Sequence, residues 1–241
     1  MSLRIGLSSG SMPDLTAKEL IQKLSETGCN TVDLRVGKGH RWEEEGLTPL
    51  RQSGIDIAFI GISLTLGDDR FDKETLIKSI APYADIPLKV FSKPGCTTTQ
   101  QIESTYEQVQ VLASIAGGKD RIWVETHKGN CGVDELVRIS ELLGTRILLD
   151  TLGFACISED PLKAMKSLMQ FISGVQTKGF NWDKPFESMH VPLSETDINK
   201  TYLILQMLVD TNCSVTVETR SGSAPEDIKI LQSLLALKSE Y

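Results

Sequence analysis

No stretch of this 241-residue chain approaches the ~18 consecutive apolar residues of a membrane-crossing helix. The first residues also lack the basic-then-apolar signature of a secretory leader, so a soluble, cytoplasmic protein with no membrane partner is expected. Cysteine is sparse: Cys29, Cys96, Cys131, Cys156 and Cys213 are scattered without a C-x-x-C pair. That spacing argues against a zinc knuckle and against a disulfide framework, and leaves reduced, mostly buried thiols as the expectation. Positive charge is in deficit, with 25 Lys and Arg against 32 Asp and Glu and a net charge of −7. No basic cluster offsets it, so nucleic acid is not expected as a partner. No Pro/Gly/Ser-rich linker, charge block or low-complexity tract divides the chain, which reads as one domain over 1–241. Hydrophobic residues at 40% and charged residues at 24% exclude a disordered or fibrous protein.

What the sequence does hold is a regular alternation. Short β-rich runs fall at Arg4–Ser8, Thr31–Val36, Ile55–Ile60, Pro87–Phe91, Arg121–Thr126, Arg146–Asp150, Glu187–Val191 and Ser214–Thr219. Some, such as Ile122-Trp123-Val124 and Ile147-Leu148-Leu149, are near-continuous apolar runs of the kind found in parallel strands covered on both faces. Amphipathic stretches lie between them. Leu15 to Glu26 opens on Thr16 with Glu19 three residues on, a capping-box spacing, and Gly28 stops it. Further helices are expected at 73–84, 98–116, 133–143, 161–177, 197–210 and 226–238, with a weak one at 43–53. Eight βα units of about 30 residues predict a single parallel (β/α)8 TIM barrel. An open doubly wound sheet is disfavoured, because the turn Ser8-Ser9-Gly10-Ser11-Met12-Pro13 has no G-x-G-x-x-G.

In such a barrel the active site lies at the C-terminal ends of the strands. Four successive predicted strands end on ionisable groups: Glu125 and His127, Asp150, His190, and Glu218 with Arg220. Carboxylates gathered in a desolvated place repel one another, so they either take up protons or share a cation. One imidazole and three carboxylates suit a divalent ion, Mn²⁺ first, then Mg²⁺, Co²⁺ or Zn²⁺. Residues two apart share a strand face, which sets His127 beside Glu125, Arg220 beside Glu218, and Asp33 beside Arg35. The Arg and His groups are candidate substrate contacts; for Asp33 and Arg35 a rim salt bridge is an equal alternative. His40, in a loop on the same side, is a further candidate contact against the alternative of an exposed loop histidine. A phosphate subsite at Ser221-Gly222-Ser223 is no better founded than simple capping, and Lys89 and Lys93 around strand four are equally open.

The whole chain resembles the xylose-isomerase-like TIM barrels, the superfamily of sugar phosphate isomerases and epimerases. The resemblance rests on Arg4-Ile5-Gly6-Leu7-Ser8, Thr31-Val32-Asp33-Leu34-Arg35, Val124-Glu125-Thr126-His127, Leu149-Asp150-Thr151, Met189-His190-Val191 and Val217-Glu218, in that order. It implies Glu125, Asp150, His190 and Glu218 as metal ligands, with Glu125 and Glu218 doubling as the acid/base pair. The sequence departs from many relatives at Gly153, where they carry a histidine, and after strand five, where Lys128-Gly129-Asn130-Cys131 follows.

The expectation is therefore a divalent-metal-dependent isomerase or epimerase of a small sugar or sugar phosphate, acting through an enediolate. His127, Arg220, Arg35 and His40 would contact the carbohydrate, and a homo-oligomer is compatible with the sequence. The alternatives are a metal-dependent dehydratase of a polyol or keto acid, a catalytically degenerate binding barrel, and an AP-endonuclease-like nuclease. Three histidines and the acidic charge count against the last.

Overall fold

The computed structural model describes residues 3–236. In chain order its elements are β1 (Arg4–Ser8), α1 (Ala17–Glu26), β2 (Thr31–Arg35), α2 (Thr48–Gln52), β3 (Asp56–Leu66), α3 (Lys73–Ile80), β4 (Leu88–Ser92), α4 (Ile102–Ala116), β5 (Ile122–Glu125), α5 (Val133–Leu143), β6 (Arg146–Asp150), α6 (Thr151–Ile157), α7 (Pro161–Leu168), β7 (Ile172–Thr177), α8 (Ile198–Gln206), β8 (Ser214–Val217) and α9 (Ala224–Ala236). The strands run β1 to β8 in order in a closed parallel barrel. The last two residues of the helix expected at 226–238 lie outside the described residues.

The residues cluster into two compact units. The first runs to Ala58 and resumes at Gly174. Its strands β7, β8, β1 and β2 pair in parallel, with Gly6 opposite both Thr31 and Thr216, and Ser8 opposite Asp33. One strand face is apolar, carrying Leu7, Val32, Leu34, Val175, Val215 and Val217, all shielded from solvent. The opposite face carries Ser8, Thr31, Asp33, Gln176, Ser214 and Thr216, equally buried. A polar face stays buried only where its groups find partners, so its chemistry is built for something other than packing. At Gly6 any side chain would collide with the Thr31 carbonyl, so glycine is what lets β1 and β2 approach. Helix α1 begins as its sequence predicts: Thr16 Oγ1 accepts from the Glu19 amide at 3.2 Å, and the Thr16 amide donates to Glu19 Oε2 at 2.8 Å. Leu20 and Leu24 give it a buried stripe.

The second unit, Phe59–Ser173, holds β4, β5 and β6 with the outer part of β3. Lys89 pairs with Trp123 across β4 and β5, and Glu125 with Leu148 across β5 and β6. Here both faces are apolar except at the strand ends, as the continuous Val/Ile/Leu runs predict.

One strand lies elsewhere than the sequence suggested. The segment Glu187–Val191 is not β7; among these residues only Val191 makes a β-type contact, an isolated antiparallel bridge to Gly179. The true β7 lies inside the stretch expected to be helical at 161–177. Pro161, Met165 and Leu168 start a genuine helix, and the apolar spacing continues through Ile172 and Val175, which hides the change of period. The strand also reads as weakly β-forming because Gly174, Gln176 and Thr177 replace apolar residues on it.

Candidate active site

In the first unit the strand register brings charges together. Gln176 and Thr177 lie opposite Thr216 and Val217, so the next positions, Lys178 and Glu218, are cross-strand neighbours. Lys178 Nζ lies 2.7 Å from Glu218 Oε2, Arg35 forms a close ion pair with Oε1, and Arg220 approaches Oε1 at 3.7 Å. Glu218 is 0% exposed and Lys178 7%. Burial by itself would raise the Glu218 pKa, but Lys178 and Arg35 outweigh it and hold the group down to about 2.

Asp33, 0% exposed, behaves in the opposite way. Burial and the Glu218 charge push it up to about 6, against the hydrogen bond that Ser8 Oγ donates to Oδ1 at 2.8 Å. Gln176 Nε2 donates to Oδ2 at 3.3 Å. The rim salt bridge between Asp33 and Arg35 is thus replaced by a different arrangement, in which the ion pair of Arg35 is with Glu218.

His190 reaches the same neighbourhood from a loop. The Arg220 amide donates to its Nδ1 at 3.2 Å, which leaves the ring proton on Nε2. Burial and the nearby Lys178 charge lower its pKa to about 4, so the ring is neutral at pH 7. His40 is buried, with Nδ1 3.4 Å from Ser9 Oγ, and is not an exposed loop histidine. A cavity of about 550 Å³ opens in the loops after β7, lined by Phe180, Trp182, Lys200 and the two neighbours of His190, Met189 and Val191. Its volume is that of a small-molecule site. At the last turn, Ser223 Oγ donates to the buried carboxylate of Asp227, which makes this helix start unsuited to a phosphate.

The second unit carries a matching pair. Lys89, 3% exposed, forms a close ion pair with Glu125, 1% exposed. Its ammonium lies 4.0 Å from the centre of the Phe91 ring, and the exposed His127 packs edge-on against that ring at 4.9 Å. Asp150 closes β6 and caps α6, its Oδ1 accepting from the Gly153 amide at 2.8 Å. A side chain at Gly153 would collide with the Thr126 carbonyl, so the histidine many relatives carry there has no room.

Two of the four expected metal ligands fall in each unit, His190 and Glu218 in the first and Glu125 and Asp150 in the second. Glu218 has lysine and arginine on both oxygens, and His190 has committed its Nδ1 lone pair to a backbone amide. An entering dication would meet Lys178 and Arg35 at the distance where like charges repel most strongly. Glu125 Oε2 is against Lys89. Of the three carboxylates whose mutual repulsion suggested a metal, Glu125 and Glu218 are each held against side-chain cations. Sequence reasoning left Lys89 undecided and did not weigh Lys178 or the titration of Asp33. The available signal for Lys178 was its place after a β-run, hidden while that run read as helix.

No known family model matches the sequence, and no curated protein matches it. Solved structures do resemble it. An L-ribulose 3-epimerase is 14% identical with a TM-score of 0.70, over 99% of this chain and 97% of that one. The probable 3-DHS dehydratase AsbF of petrobactin synthesis in Bacillus anthracis is 17% identical with a TM-score of 0.68, over 97% and 99%. The IOLI protein, solved with a zinc atom, is 11% identical with a TM-score of 0.66, over 99% of each chain. At these identities the likeness is one of fold, the closed parallel (β/α)8 barrel.

Proposed function

We propose that the protein is an isomerase or epimerase of a small carbohydrate that moves a proton next to a carbonyl through an enediolate. The observation that carries this reading is the pair of fully buried strand-end carboxylates, Glu125 and Glu218, each held against a buried lysine. A buried ion pair is a poor source of stability compared with apolar packing, so two of them at strand ends favour a chemical role. Glu125 takes the proton from the carbon beside the carbonyl. Returned by the Glu125 carboxylic acid to the neighbouring carbon, the proton completes an isomerisation, while Glu218 keeps Lys178 and Arg35 charged and in place. The Lys89 ammonium beside Glu125 stabilises the negative charge that develops on the enediolate, the task that a divalent ion performs in a metal-dependent isomerase. No divalent ion enters the scheme. His127, Arg220, Arg35 and His40 are the proposed contacts for substrate hydroxyls.

The test is exchange of substrate C–H for deuterium in D2O, followed by NMR over a panel of ketoses and sugar phosphates. Exchange by the native protein is expected. Glu125→Gln and Glu218→Gln should each slow it by about 10²–10⁴-fold while the circular dichroism spectrum is retained. Absence of exchange over the whole panel, with or without added Mn²⁺, overturns the proposal. Exchange accompanied by loss of water would identify a dehydratase, which shares the first proton removal.

A further inference from the structure

The cysteine spacing that argues against a metal site in the sequence has a different outcome in the fold. Cys96 follows β4 and Cys131 follows β5, and because these strands are neighbours their loops bring the two thiols together. The sulfur atoms are 3.9 Å apart, both residues are buried, and neither is in a disulfide. Two thiolates at ~2.3 Å from a tetrahedral ion stand about 3.8 Å apart, so the observed spacing is that of a bidentate thiolate pair. Glu135, on the first turn of α5, supplies a third donor: one oxygen of its carboxylate and both sulfur atoms lie within 4.8 Å of one another. The carboxylate is oriented from outside, accepting from the Gly95 amide at 3.1 Å and the Thr97 hydroxyl at 3.2 Å. These bonds fix a ligand in the way outer partners do at metal sites.

We propose that Cys96, Cys131 and Glu135 bind one thiolate-seeking divalent cation of the zinc class. Three protein donors leave one tetrahedral position for water or an added ligand. Soft sulfur donors select this class over Mg²⁺ or Mn²⁺. The ion would tie the loop after β4 to the start of α5, independently of the Lys–Glu pairs and of the function proposed above.

The experiment uses the full-length, reduced protein under anaerobic conditions, titrated with Co²⁺ as the spectroscopic probe. One equivalent is expected to give a thiolate-to-cobalt charge-transfer band and the visible bands of a tetrahedral site, both erased by one equivalent of Zn²⁺. Cys96→Ser and Cys131→Ser should each abolish the charge-transfer band, Glu135→Gln should weaken binding by at least about tenfold, and Cys156→Ser should change nothing. Absence of a charge-transfer band in the native protein at excess Co²⁺ overturns the proposal. So does a band that survives in the Cys96→Ser/Cys131→Ser double variant. The native arm needs no substitution and reads the site even if a variant fails to fold.

Discussion

Asp33 and Glu218 are both fully buried carboxylates on neighbouring positions of the first unit, yet their protonation is pushed in opposite directions. The difference lies in who stands next to each: Glu218 has Lys178 and Arg35, while Asp33 has neutral donors and the negative charge of Glu218 itself. The folded pKa of Asp33 is raised to about 6, so its protonated form is the one the fold favours. Its contribution to stability is present at low pH and lost as pH rises through about 6, a difference on the order of 3 kcal/mol. Asp33→Asn removes the charge; its Oδ1 still accepts from Ser8, and its amide nitrogen donates to Gln176 once that side-chain amide turns to present Oε1. It should raise the melting temperature at pH 7.5 while leaving that at pH 3, below the ordinary aspartate pKa, nearly unchanged, as differential scanning calorimetry can read. An equal effect at both pH values would contradict a buried, reluctant charge. For Glu218, held at about 2, the contribution is present above the usual carboxylate range and fades as pH falls toward 2. Lys178→Met, which leaves that charge to Arg35 and the more exposed Arg220, should cost about 3–5 kcal/mol in urea unfolding. Combined with Glu218→Gln the loss should fall short of the sum by about 1 kcal/mol or more; strict additivity would mean that the two groups do not support each other.

At the scale of elements, the sequence was most legible where a local signal and the core demand agreed. The Thr16–Glu19 capping box, the apolar run of β6 and the helix at 133–143 all appear where the spacing placed them. Thr16→Ala should accordingly destabilise the protein by about 1 kcal/mol, measured by chemical denaturation; no change would mean that α1 is held by packing alone. The sequence was misleading where an element is polar for a reason outside itself. β7 carries Gln176 because the buried Asp33 needs a donor, and it carries Lys178 because the buried Glu218 needs a counter-charge. Neither need is visible before the strands are paired. The run Met189-His190-Val191 then looked like the missing strand, because it alternates apolar and polar residues, although it is a loop whose backbone is tied to Gly179. The candidate carboxylates Glu125, Asp150 and Glu218 were readable as strand-end residues. Their partners were not, since an ion pair between adjacent strands depends on register. The Cys96–Cys131 approach was hidden for the same reason.

For the whole molecule, the chain's −7 charge and its closed parallel barrel are compatible with the small carbohydrate substrate proposed above. The proposed chemistry is electrostatic: beside Glu125, Lys89 supplies the charge that a divalent ion would supply in a metal-dependent isomerase. It can be read without knowing the natural substrate in advance. The measurement is deuterium uptake at the carbon beside the carbonyl of a ketose, followed by NMR, with protein dialysed against a chelator and with the same protein given Mg²⁺ or Mn²⁺. Equal rates in the two samples, both lost in Glu125→Gln, are the predicted result. Exchange that appears only after Mg²⁺ or Mn²⁺ is added would contradict the account.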